Sequence, residues 1–260
     1  MPHVISRDGT SIHYDRAGNG PTLLLVDGAL SYRDLGPMEP LAAELAKDLT
    51  VVSYDRRGRG ESADSQPYAV EREIEDIEAL IDEVGGSVSL YGTSSGAVLA
   101  LKAAAKLGDK VPKLILYAPP LSSGDEAKHE FATYVERLTE LLDAGQRGDA
   151  VAFFLADMMP ADMLEGMRQS PEWSLMEAMA PTLAYDNAVM GDGMLPLDDA
   201  KAATMPAMVV TGDSGPDFMH EAADALALAM PNARRETHED QTHGVSPEAL
   251  APVLVPFFKV

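Results

Sequence analysis

The chain contains no cysteine, which excludes disulfides, a thiol nucleophile and cysteine-ligated metals. It also lacks any apolar run approaching the roughly 20 residues that cross a bilayer. Basic residues are few: 20 Lys and Arg stand against 42 Asp and Glu, for a formal charge of -22. A surface of that sign repels phosphate backbones and anionic lipid heads, so neither nucleic acid nor membrane is expected as a partner. Met1 to Gly18 is polar and alternating, with no basic stretch leading into an apolar core. No signal peptide is therefore expected, and a cytoplasmic protein is the default. Internal repeats and low-complexity segments are missing as well. What remains is a chain of 260 residues, enough to bury a substantial core without metals or disulfides.

Short apolar runs alternate with stretches of helical periodicity. Segments 4–6 and 11–14 flank an Asp8-Gly9 turn and read as a hairpin. Strands are expected at 22–26, 50–54, 87–91, 114–117, 207–211 and 233–237. Helices are expected at 41–49, 70–84, 95–107, 218–230 and 247–258. This alternation implies an α/β fold, a mostly parallel sheet with helices on both faces. It is interrupted between about Asp125 and Gly193, where the pattern is helical and cut into pieces by Pro160, Pro171 and Pro181. Eight of the 14 methionines fall between Met158 and Met194. The chain thus divides into a core of 1–122 with 195–260 and a helical cap or lid of 123–194. The methionines suit either cap packing or an adaptable wall for an apolar ligand.

The chemistry concentrates at Gly92-Thr93-Ser94-Ser95-Gly96. This G-x-S-x-G run lies between a strand-like and a helix-like segment, where a sharp turn raises the serine hydroxyl above the sheet. Ser94 is the candidate nucleophile. A serine hydroxyl needs a base. His243, in Gln241-Thr242-His243-Gly244, lies in the loop between the last strand and last helix, and His238 is its competitor. A carboxylate to fix the imidazole should follow strand 207–211, where Asp213 leaves the strand end and Asp217 is the alternative. Two N–H donors are needed for a developing oxyanion. Ser95 supplies one, and Ala29, in Asp27-Gly28-Ala29-Leu30, supplies the other. Arg33 reads as a structural ion pair or a contact for substrate, the single Trp173 as an anchor of the insertion, and Asp186 as a helix cap.

In combination these motifs resemble the α/β-hydrolase superfamily of serine hydrolases over essentially the whole chain. The run Tyr54 to Ser62 matches the superfamily's D-x-R-G-x-G-x-S turn, Val26 to Ala29 its oxyanion loop, Gly92 to Gly96 its elbow and His243 its final histidine. The resemblance implies an α/β-hydrolase fold with a helical cap insertion, as in esterases, lactonases and cofactor-free haloperoxidases. It implies hydrolysis of a small, largely apolar carboxylic ester or lactone through an acyl-enzyme, without cofactor or metal, by a monomer or homodimer. The alternatives are perhydrolysis by a cofactor-free haloperoxidase and a ligand-binding protein that has lost turnover. Three positions depart from the pattern, one being Thr93 in the elbow, where a bulkier residue is common. Asp27 stands where the oxyanion loop usually carries histidine, and Gly215 stands at the usual position of the acid.

Overall fold

A computed structural model describes residues 2–244 and 246–259. Among these, eight strands form one sheet in the order β1-β2-β4-β3-β5-β6-β7-β8. The strands are β1 His3–Ile5, β2 Ser11–Gly18, β3 Thr22–Val26, β4 Thr50–Tyr54, β5 Ser89–Thr93, β6 Leu114–Tyr117, β7 Ala207–Gly212 and β8 Ala233–His238. β1 and β2 run antiparallel, and β4, β3, β5, β6, β7 and β8 pair in parallel. The two-residue period of the strands sorts their side chains onto opposite faces. Leu24, Val26, Leu90, Leu116 and Val209 enter one core. Leu23, Leu25, Tyr91, Ile115 and Val210 enter the other.

Helices α2 Val70–Val84 and α3 Ser95–Leu107 cover the first face, and α1 Met38–Leu45 and α11 Pro247–Lys259 cover the second. Between β6 and β7 run α4 Asp125–Asp143, α5 Arg147–Leu155, α6 Ala161–Arg168, α7 Trp173–Met179, α8 Leu183–Met190 and α9 Leu197–Ala202. α10 Asp217–Ala229 links β7 to β8. Leu138, Leu141, Val151, Leu155, Trp173 and Met176 form a third apolar cluster, which Leu30 joins from the loop after β3. Val189 and Met190 of α8 instead enter the main core. No helix among the described residues is long and apolar enough to cross a membrane.

Several boundaries differ from the sequence reading, and those at the start of α1 and at both ends of β5 have identifiable reasons. α1 begins at Met38 rather than Leu41. Pro40 falls in its first turn, where a missing N–H costs nothing because that donor has no intrahelical partner. β5 begins and ends two residues later than 87–91. Its pairing with β6 carries the ladder through Gly92 and Thr93, so the strand runs directly into the serine turn.

Candidate active site

The loops after β3, β5, β7 and β8 leave the carboxyl-terminal edge of the parallel strands, where such sheets collect functional groups. Ser94 sits between β5 and α3 with φ 54° and ψ -130°. A non-glycine residue held there stores about 1–3 kcal/mol. Its amide donates to the Tyr117 carbonyl at 2.9 Å, and its carbonyl accepts from the Ala97 amide at 2.9 Å. The flanking glycines are dictated by space. A Cβ on Gly96 would collide with the Val26 and Asp27 backbone, and one on Gly92 with Gly96 and Ala97.

The loop after β3 backs onto this turn: a Cβ placed on Gly28 would lie 3.1 Å from the Ser94 Cβ. Leu30 in the same loop has φ 53°. Asp27 is buried, with its Oδ1 accepting the Gly28 amide at 2.8 Å. Burial pushes its carboxyl up to about 7, against the pull of that hydrogen bond and of Arg59 and Arg56.

His243 follows β8 in a loop that packs on the end of β7. The Ser214 amide donates to the Gln241 carbonyl at 3.0 Å, and the Tyr117 hydroxyl donates to the Thr242 carbonyl at 2.7 Å. Asp240, in that loop, has φ 57°. The His243 ring is half-buried. Burial holds its pKa below the ordinary histidine value, so the ring is a neutral base at pH 7.

Two cavities meet at Ser94. One, of about 350 Å³, runs under the loop after β3 and is walled by Leu30, Met38, Leu41, Met167 and Met176. The other, of about 740 Å³, is walled by Phe131, Tyr134, Met190 and Phe218, with Asp157, Asp186 and Asn187 among its polar members. Ala29, Ser94, Phe154, Met158 and His243 line both. Ser95 borders the second. His238, which ends β8, lines neither, and its enclosed Nε2 has no partner among the described residues.

Neither candidate acid is hydrogen-bonded to His243, whose enclosed Nδ1 has no partner among the described residues. Asp213 is exposed and directed elsewhere. The nearby backbone amides of Asp240 and Gln241 hold its pKa below the usual value, and it accepts the Ser214 hydroxyl at 3.1 Å. Asp217 is exposed in the first turn of α10. The geometric reason is local: Gly215 in the β7 loop has no side chain to offer, and Asp213 faces the backbone of the histidine loop. Arg33 is buried in ion pairs with Asp55 at 3.1 Å and Asp15 at 2.7 Å. Trp173 packs in the third cluster.

Sequence reasoning missed the interior of the 54–62 turn. Arg56, Arg57 and Arg59 are each at most 1% exposed. Arg56 forms a bidentate pair with Glu73, both bonds 2.7 Å. Arg57 does the same with Asp76 at 2.7 Å. Asp186, expected to cap a helix, is a buried partner of Arg56 and Arg59. A signal was present in the sequence. Glu73 and Asp76 stand three apart on the helix stripe that also carries Ile77 and Leu80, so two acids face the core and require buried cations.

Comparison with known proteins agrees with this architecture. The model of the alpha/beta hydrolase family matches residues 12–253. A solved alpha/beta hydrolase from Sphaerobacter thermophilus DSM 20745 is 46% identical, with a TM-score of 0.89 over 99% of this chain and 100% of that one. The uncharacterized hydrolase YraK of Bacillus subtilis (strain 168) is 31% identical over 150 residues, 55% of this chain. This chain thus spans about half of that relative, 53% of its length. The human serine hydrolase BPHL is 25% identical over 257 residues, covering 90% of this chain and 80% of that protein. With its family match, its mostly parallel sheet and its strained serine at the end of β5, the chain belongs to the alpha/beta hydrolase family.

Proposed function

We propose that this protein is a serine hydrolase that passes the acyl group of a small, largely apolar carboxylic ester or lactone to Ser94 and then to water. One observation carries the reading. Ser94 stands at a strained turn at the N-terminus of α3, and both cavities that reach it also reach Ala29 and His243. A substrate lying across the serine can place its acyl part in one cavity and its alcohol part in the other.

In this reading Ser94 Oγ attacks the carbonyl carbon while His243 takes the hydroxyl proton. The carbonyl oxygen gains the electron pair and is met by the Ala29 and Ser95 amides, aided by the positive end of α3. His243 returns the proton to the departing alkoxide. It then deprotonates water, which attacks the acyl-enzyme; the C–Oγ bond breaks, Ser94 Oγ takes the proton back from His243 and the acid is freed. Segment 123–194 acts as the lid that shields these steps, in a cytoplasmic enzyme needing no cofactor. The human relative named as a serine hydrolase supports the serine chemistry.

The His243 Nδ1, without a partner among the described residues, favours a second reading, a binding protein without turnover. Steady-state hydrolysis of p-nitrophenyl esters and small lactones decides between them. The hydrolase reading expects turnover in the wild type that Ser94→Ala abolishes. Saturable binding without product favours the second reading, and turnover undiminished in Ser94→Ala contradicts the first.

A further inference from the structure

The two amides assigned to the oxyanion are tied together through a buried cluster that borders the larger cavity. The Gly28 carbonyl and the Ala29 N–H are opposite ends of one planar peptide, so fixing the oxygen fixes the direction of the N–H. Arg59 Nη1 donates to that carbonyl. Arg56 Nη1 donates to the preceding one, of Asp27, at 3.3 Å. On the other side of the site the Ser95 side chain, borne by the residue that supplies the second amide, donates its Oγ–H to Asp186 Oδ1 at 2.8 Å. Asp186 closes the circuit. Its Oδ2 accepts from Arg59 at 2.6 Å and its Oδ1 from Arg56 at 2.7 Å.

All four side chains are buried: Asp186 and Ser95 are 4% exposed, Arg56 and Arg59 1%. Glu73 holds Arg56 from behind, so two carboxylates face two guanidiniums and the cluster is internally neutral. Such a group is rigid because each member has several hydrogen bonds to lose at once. Donors that aim at an oxyanion act through this rigidity, since any slack must be removed during the reaction.

We propose that Asp186 is the positioning residue of the oxyanion site, holding the Ala29 and Ser95 amides in register through Arg59 and the Ser95 hydroxyl. The proposal rests on the serine-hydrolase reading. Asp186 sits on α8, far in sequence from both loops it joins, so the segment between β6 and β7 contributes directly to the site's geometry. An oxyanion exists in the transition state and not in the bound ester. Loss of the clamp therefore falls on kcat and on oxyanion-forming inhibitors, and leaves KM nearly unchanged.

The test uses Asp186→Asn, which keeps the shape and removes the charge, and Ser95→Ala, which deletes only the hydroxyl and leaves the amide. Rates are expressed per Ser94 titrated with a fluorophosphonate, so unfolded molecules are not counted. The inhibitor is an alkyl trifluoromethyl ketone. Ser94 Oγ adds to its carbonyl carbon, the serine proton passes to His243 and the ketone oxygen becomes a bound oxyanion. Both variants are expected to lose roughly 10- to 100-fold in kcat per site on p-nitrophenyl butyrate, with KM within about threefold and the ketone Ki raised by a similar factor to the kcat loss. A merely structural hydrogen bond would lower the melting temperature and leave both quantities alone. If Asp186→Asn does not fold, Ser95→Ala carries the test. Wild-type kcat and Ki in Ser95→Ala overturn the proposal while the hydrolase reading stands. A wild-type protein that neither hydrolyses the ester nor binds the ketone overturns both.

Discussion

Ser95, next to the elbow serine, and Asp186, on α8, are 91 positions apart in the chain, yet their side chains are hydrogen-bonded at 2.8 Å in the interior. The bond links the turn after β5 to the helices between β6 and β7. Both residues border the larger cavity. Burial alone would push the Asp186 carboxyl up, but Arg59 and Arg56 outweigh it and hold it ionised. The same two cations reach the backbone of the loop after β3.

Ser94→Gly should stabilise the fold while removing catalysis. At φ 54° glycine relieves a strain that serine bears, which is worth about 1 kcal/mol or ~2–4 °C in Tm for a domain of this size. Calorimetry beside an ester assay checks both halves. A lower Tm would mean that the turn is not strained.

Asp213→Ala separates a loop anchor from a triad acid. Loss of a carboxylate bound to the catalytic imidazole costs about 10⁴ in kcat. Because the Asp213 carboxylate instead lies by the backbone amides of Asp240 and Gln241 and has no bond to His243, the expected loss is less than about tenfold. It should come with faster amide exchange in the 239–244 loop. A 10⁴-fold loss would restore Asp213 to the acid's role.

The pH profile should have a limb from each of two buried groups. His243 acts when neutral, and burial lowers its folded pKa, so the acid limb of kcat/KM should fall below the ordinary value of about 6.5. The stabilising contribution of the neutral ring is present above the unfolded pKa and lost as pH falls through the folded one. Asp27 behaves oppositely. Its folded value, pushed up by burial to about 7, exceeds that of the unfolded chain. Its stabilising contribution is therefore full below about pH 4 and lost as pH rises through about 7. Asp27→Asn should gain roughly 1–4 kcal/mol over wild type at pH 8–9 and little at pH 4. It should also remove an alkaline decline in kcat, since an ionised Asp27 opposes a neighbouring oxyanion. Urea denaturation and rate profiles across pH test these signs.

Asp76→Ala provides the bracing counterpart. Asp76 pairs with Arg57 away from both cavities, and removing it leaves a buried guanidinium short of a partner. The expected cost is about 3–5 kcal/mol in denaturant unfolding, with kcat per titrated site unchanged. A kcat loss without a stability loss would place Asp76 among the groups that act on the site.

The strands of the sheet were legible because their apolar runs are short and bounded by turns, and 22–26, 50–54 and 114–117 match residue for residue. The serine turn and the histidine loop were legible from spacing and chain order. The arrangement around the imidazole was not, because the direction in which Asp213 points depends on how the 239–244 loop folds back over β7. Nor was the role of Asp186, since nothing local marks a helix residue as the partner of two arginines more than a hundred positions upstream. The arginine-rich turn carries no local mark of its depth for the same reason. Its burial is set by acids on α2 and α8, which only the tertiary packing brings within reach.

The central claim is that Ser94 is a nucleophile. The most direct measurement is treatment of the folded protein with a fluorophosphonate, followed by intact-mass and peptide mapping. The account predicts one adduct per chain, on Ser94, formed faster as pH rises through the His243 titration and absent from Ser94→Ala. An adduct on another residue, or undiminished labelling of Ser94→Ala, would contradict it.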